Sequence, residues 1–394
     1  MSQGKRILTI DIMRGLTLFL MLFVNDLYVD AVPAWLTHRP ADFDGIGLAD
    51  WVFPGFLFMV GMAVPFAIES RIKKGVSNIK LIYHILVRTV SLLIIGVLML
   101  NVGRINPELS GMPKYLWAIL VYVCIFLIWN LYLSLSRKYI ILLKGTGIIG
   151  VIVLLAIFKA GTQGEITWIR TSWWGILGLI GWGYLVTSVT YLVLKDRLTG
   201  TAIVWIGFLI VNLISQLNYL DFLNFLNPVF GVILSGNVPS IVMAGLFFGL
   251  ILRRFSKKGS SKFIFTGTVL GILSLVVGFI LRNWFILSKI KGTPSWAMVC
   301  NGISILLFVF LFIIIDVWGK KRWTAVLQPA GQNSLTTYLA PNVLYYAIWW
   351  TGIPILIYKQ SEYSIIVVTG SILWAVLMIG FAALLSKIGI RLKL

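Results

Sequence analysis

Carboxylates are scarce in this chain. Thirteen Asp and Glu stand against 33 Lys and Arg in 394 residues, and only 12% of the residues are charged. Soluble domains carry about 25%, so an ordinary water-exposed surface is excluded. Cysteine is nearly absent: Cys124 and Cys300 each lie within an apolar run, which excludes a disulfide framework and a thiolate metal site. There are two histidines, His38 and His84. No Ser/Gly-rich linker or low-complexity segment divides the chain. P-loop, GxSxG, HExxH and paired-cysteine motifs are missing, so no resident metal is expected.

What is present is apolar. Hydrophobic residues make up 59% of the chain, and the mean hydropathy is +0.96. Runs of about twenty apolar residues recur, the length that crosses a bilayer as a helix. Twelve spans are expected, at 7–29, 48–69, 79–101, 115–135, 138–159, 173–195, 200–218, 237–254, 262–285, 294–317, 329–350 and 363–387. The fold class is therefore an all-α integral membrane protein, a polytopic bundle of about twelve helices in one domain, 1–394. The start "MSQGKRILTI" is basic like a signal peptide, but no small-residue cleavage site follows, so it is read as a retained first helix.

Basic residues test that count. With a cytoplasmic N-terminus, inner loops hold twenty-one of them, including "RRFSKKGSSK" and "KKR"; outer loops hold nine. Arg14, Arg88 and Lys144 fall within spans. The positive-inside rule is met at every inner loop, with both termini cytoplasmic. Nine of the thirteen carboxylates sort to the outer side, leaving it near neutral, so the net charge of +20 sits on the inner face and in the spans. That charge suits anionic lipid heads and could also attract a phosphorylated cytosolic ligand. No nucleic-acid partner is expected.

Several residues break the apolar pattern where a charge costs about 2.5–3.5 kcal/mol to insert. In the first span Asp11 and Arg14 are three residues apart and could pair. Arg14 and Asn25 are eleven apart, on one stripe roughly 16 Å long. The stretch "THRPADFDGIGLAD" then gathers His38, Asp42, Asp44 and Asp50. A neutral imidazole is the commonest general base, although His38 is equally a solvated loop histidine. Asp50 also suits the start of the second span as a helix-capping carboxylate. Pro54 and Pro65 imply a kinked second helix beside a cavity. His84 reads as structural; Arg88, one turn deeper, forms with Arg14 a candidate inner anion site. Asn237, Pro239 and Ser240 open span eight. Gln332, Asn333, Ser334, Thr336, Thr337 and Tyr338 crowd span eleven, as interhelical glue or the wall of a polar lumen. Tryptophans such as Trp174 gather at the expected interfaces, either as an aromatic belt or as sugar-stacking surfaces.

The residues "IDIMRGLTLFLMLFVND" and "H…GIGLADWVFPGFLFMVG", with "RTVSLLIIGVLM", "SWWGILGLIGWGYLV", "NVPSIVMAGLFFG" and "PAGQNSLTTYLA" in order, resemble the heparan-α-glucosaminide N-acetyltransferase family, including its bacterial DUF5009-type members. The resemblance implies transfer of an acetyl group from cytosolic acetyl-CoA, across the membrane, to the amine of a glucosamine-type sugar. It implies His38 as the active histidine and Asn25 as the asparagine that ends the first span; Asp50, from its own place in the stretch, is expected beside them as a catalytic residue that orients His38. Arg14, Arg88, Asn333 and Ser334 are then expected at acetyl-CoA. Asp26, Asp42, Asp44, Trp174 and Asn237 are expected at the acceptor. The expected setting is a bacterial inner membrane, among lipids, and a homodimer is compatible with the chain. A permease, or an acyltransferase acting on a lipid or cell-wall glycan, is the alternative.

Overall fold

The structure, a computed structural model, describes residues 7–255 and 259–394. Lys5, Arg6, Lys257 and Lys258 of the basic clusters lie outside the described residues. The chain forms α1 (Leu8–Asp26), α2 (Leu48–Lys73), α3 (Asn78–Asn101), α4 (Pro107–Ser110), α5 (Lys114–Trp129) and α6 (Arg137–Ile157). A short antiparallel hairpin follows, β1 (Ala160–Thr162) with β2 (Glu165–Thr167). Then come α7 (Gly175–Leu194), α8 (Leu198–Gln216), α9 (Asn227–Leu234), α10 (Asn237–Phe255), α11 (Ser260–Leu281) and α12 (Pro294–Phe312). The chain ends with α13 (Gln328–Gln332), α14 (Ser334–Thr351) and α15 (Ser364–Lys387).

A helix stands at each of the twelve expected spans. Among the described residues, ten helical stretches are long and apolar enough to cross a membrane. The other two expected spans are α5, a shorter apolar helix, and α14. The fourth span stops at Trp129 rather than 135 because Asn130 turns away to hold the C-terminal segment: Arg391 N–H donates to its side chain at 2.7 Å. The eleventh is broken at Asn333, between α13 and α14, in the polar run already evident in the sequence.

Burial divides the helices into two kinds. The most apolar window of α2 is 72% buried inside the protein; that of α6 is 11% buried. Ile and Leu side chains on the outer helices α6, α8, α11 and α15 face outward, the surface that lipid covers. Inside, α2 and α10 cross almost backbone to backbone. A Cβ on Gly61 would lie 1.8 Å from the Val242 carbonyl oxygen, and one on Gly245 2.0 Å from that of Phe58. The rings of Phe58, Phe248, Phe263, Phe308 and Phe312 fill the space around that crossing.

Contacts between loops sort the bundle into two ends. At one, Asp316 caps α1, accepting from the backbone N–H groups of Leu8 and Thr9 at 3.3 and 3.1 Å, and Arg253 meets Asp196 and Glu69. At the other, Asp44 joins Arg282, Ser288 donates to the Ala41 carbonyl, and Ser364 donates to that of Ala31. They are called the basic end and the histidine end below.

Candidate functional site

Loop 27–47 determines where His38 sits. The first N–H groups of a helix have no partner within it, and here the loop supplies them. Leu48 N–H donates to the Trp35 carbonyl at 2.7 Å and Ala49 N–H to that of Leu36 at 3.3 Å. Gly47 lets the chains approach: a Cβ there would lie 2.0 Å from the Thr37 carbonyl oxygen. His38 thus arrives directly above the start of α2. Its Nδ1 lies 2.8 Å from Asp50 Oδ1, while Asp50 Oδ2 accepts from the backbone N–H groups of Arg39 and Gly47, both at 3.0 Å. An ionised carboxylate only accepts, so Nδ1 carries the ring proton and Nε2 keeps its lone pair. Asp50 is 1% exposed and His38 about half.

Below His38 opens a cavity of about 800 Å³ at the histidine end. Asn25, His38, Trp174, Asn237 and Lys289 are among the residues that line it, on otherwise largely apolar walls. Trp174 Nε1 and Asn237 Oδ1 are buried polar atoms with no hydrogen-bond partner among the described residues. Ser172 and Trp174 both adopt left-handed backbone conformations, φ +47° and +68°. Such positions cost roughly 1–3 kcal/mol each and cluster at functional sites. Lys289 reaches in from the α11–α12 loop. Its Nζ lies 3.1 Å from His38 Nδ1, 3.5 Å from Nε2 and 3.3 Å from the Ala49 carbonyl oxygen. Burial pushes its ammonium below the usual lysine range, against the opposing pull of Asp50.

A second cavity, of about 330 Å³, opens at the basic end. Arg14, Arg88, Asn333 and Ser334 all line it, and so do Arg71, Arg391 and Lys393. Arg14 donates to the Gly331 carbonyl at 3.3 Å. Arg88 stacks on Tyr184, 4.5 Å from the ring centre, and its Nε has no partner among the described residues; neither does Asn333 Oδ1. Arg71 lies 2.5 Å from His84 Nε2, which gives the second histidine a structural contact. Both cavities run along α1, α2 and α7, and both are lined by Met21 and Ile176.

Three residues expected at the acceptor lie elsewhere. Asp26 is fully buried among Lys359 (2.8 Å), Tyr358 (2.6 Å) and Tyr345, where it ties the end of α1 to α14 and the segment after it. Asp42 pairs with Lys291 at 2.6 Å, and Asp44 with Arg282 at 2.8 Å. The Lys291 ammonium holds Asp42 below the usual carboxylate range. Asp44 is held down chiefly by the Leu287 N–H, with Arg282 adding to it. Lys289, Arg71, Arg391 and Lys393 were not anticipated. Lys289 is one of two lysines in the approach to span ten, and the sequence does not distinguish it from Lys291. Arg391 and Lys393 look in sequence like a solvated tail.

Two cavities thus lie along the same three helices of a polytopic membrane protein, one lined by cations and the other by His38, which Asp50 holds from behind. The chain belongs to the DUF5009 family, described as a domain of unknown function, whose pattern matches residues 6–206. It is also similar to heparan-alpha-glucosaminide N-acetyltransferase from Mus musculus, 35% identical over 100 residues, and from Homo sapiens, 33% identical over 96. These stretches are 25% and 24% of this chain, and 15% and 14% of the relatives' own lengths.

Proposed function

We propose that this protein is a membrane acetyltransferase that takes an acetyl group from cytosolic acetyl-CoA at its basic end and delivers it to an amine, such as that of an amino sugar, at its histidine end. The observation that carries this reading is the pair of cavities sharing Met21 and Ile176. A thioester held by its phosphates in one could extend its acyl end into the other. The basic end fits phosphates: five cationic side chains line it, with the free Arg88 Nε and Asn333 Oδ1 among its polar atoms. The positive-inside rule puts that end in the cytoplasm, in keeping with a bacterial inner membrane.

At the other end His38 Nε2 accepts the amine proton as the nitrogen attacks the thioester carbonyl. The new C–N bond forms and the C–S bond breaks. The departing thiolate takes the proton back from the imidazolium, which Asp50 stabilises meanwhile. Asn25, which lines the same cavity, donates to the developing oxyanion in this scheme. A route through acetyl carried on Nε2 uses the same atoms.

A screen of amine acceptors for acetyl-CoA turnover by the purified protein tests this directly. Consumption that depends on the amine, with a fall of at least ~100-fold in His38→Ala, is expected. Solute movement without acetyl-CoA consumption would instead make the protein a permease. One observation favours a modified acceptor: among the described residues, His38 and Lys289 are the ionisable side chains that line the histidine-end cavity, and its walls are largely apolar. An amino sugar carrying an alkyl or lipid group suits such walls better than a free sugar. Turnover of an alkyl glucosaminide well above that of glucosamine would establish it.

A further inference from the structure

Two lysines two positions apart in the α11–α12 loop point opposite ways. Lys291 reaches outward to Asp42, whose side chain is 89% exposed. Lys289 turns inward, although a lysine can normally extend its head to water at little cost. Its ammonium gives up solvent to lie within 3.5 Å of both His38 ring nitrogens. Neither contact is needed to hold the ring. Nδ1 is already committed to Asp50, and Nζ already donates a hydrogen bond to the Ala49 carbonyl at 3.3 Å.

We propose that Lys289 is a positioning residue of this site: its ammonium, seated against the His38 ring, offsets the buried Asp50 carboxylate and keeps the imidazole in the neutral form that can accept a proton. The proposal rests on the acetyltransferase reading of His38. A carboxylate 2.8 Å from Nδ1 favours the imidazolium over the neutral ring. A cation 3.1 Å from Nδ1 and 3.5 Å from Nε2 opposes this. The other charged and titratable neighbours do not duplicate the effect. The Arg39 guanidinium sits over the Phe43 ring, 3.8 Å from its centre. Asp42 and Asp44 are matched by Lys291 and Arg282. Cys300, on α12, is a fully buried thiol near the Asp50–Lys289 pair. The geometry also explains why the amine acceptor meets a cation here: the cation serves the base rather than the acceptor.

The chain has only two histidines, so the imidazole signals of isotope-labelled protein in lipid nanodiscs can be followed individually, with His84→Gln assigning them. In Lys289→Met the His38 titration midpoint should rise by about one pH unit, a tenfold gain in proton affinity. Lys289→Arg, which keeps the charge, should restore the parental midpoint to within about 0.3 unit. If Lys289→Met does not fold, Lys289→Gln carries the same comparison. In turnover assays the acidic limb of the kcat/KM profile should move by the same amount. A midpoint that stays within about 0.2 unit of the parent in both charge-removing variants overturns the proposal, leaving Lys289 as a loop anchor. Because the titration needs no acetyl-CoA, it stands apart from the fate of the acetyltransferase reading: a shifted midpoint in an inactive protein would refute that reading and keep the electrostatic one.

Discussion

Asp50 gives one carboxylate oxygen to its own helix and the other to His38. Asp26, by contrast, is wholly enclosed among Lys359 and two tyrosines. The two residues therefore predict different mutant behaviour. Asp26→Asn leaves the partly exposed Lys359 without its counter-charge and weakens charge-assisted hydrogen bonds, which are worth roughly 1.5–3 kcal/mol each. It should lower the melting temperature of the nanodisc-embedded protein while leaving the KM for the acceptor close to parental in whatever fraction stays folded. A raised KM at unchanged stability would return Asp26 to the acceptor site. The distinction was invisible in "FVNDLYVD", because Tyr345, Tyr358 and Lys359 are more than 300 positions away. The Asp50–His38 pairing was partly legible: Asp50 was recognisable as a helix-starting carboxylate, and His38 as the only histidine near it.

The loops that carry His38 and Lys289 are clamped together by Asp44, which accepts from Leu287 N–H and Arg282, and by Asp42 with Lys291. Both carboxylates have folded values below their unfolded ones. Their contribution to stability is therefore fully present above about pH 4, the unfolded carboxylate value, and fades only as the pH falls through the depressed values. Hydrogen exchange in residues 37–47, corrected for intrinsic rates, should be flat from pH 5 to 8 and rise in acid. A loss of protection already at pH 6 would contradict this. Among the helices, the α2–α10 crossing positions the loop before α2 and Asn237 at the head of α10. Gly245→Ala places a methyl group where the Phe58 carbonyl stands and should cost about 1–3 kcal/mol, read as a lower melting temperature. Gly207→Ala on α8, with nothing within 4 Å of its would-be Cβ, is the matched control. The proline-bearing α2 was expected from the sequence, and it does wall both cavities. Its glycine-to-backbone contact with α10 was not, since glycines 61 and 245 carry no mark of which helix they meet.

For the whole molecule, the sidedness of the two ends decides whether cytosolic acetyl-CoA can reach the cations. Ala34→Cys, exposed at the histidine end, and Lys74→Cys, exposed at the basic end, each in a background without Cys124 and Cys300, should differ with an impermeant thiol reagent on intact cells. Ala34→Cys is expected to label and Lys74→Cys to be protected; the reverse pattern would invert the reaction scheme. Buried Thr37 is a poorer probe. Binding of CoA should likewise weaken in Arg14→Ala and Arg88→Ala, more so at low salt, where charge attraction is least screened. The sequence by itself determined the fold class, the gathering of basic residues in alternate loops and the two depths of polar residues on α1. These follow from how water and lipid sort side chains, and that sorting is local in the chain. It also singled out Arg14, Arg88, Asn333 and Ser334, because polar groups in an apolar span need a reason to be there. Only the tertiary structure decided that these four share one cavity, that Asp42, Asp44 and Asp26 are held by cations, and that Lys289 and the C-terminal Arg391 and Lys393 join the two sites. The reason is that ion pairing depends on which chain segments meet in space, and charges 30 or 300 positions apart can neutralise each other without leaving any pattern along the chain.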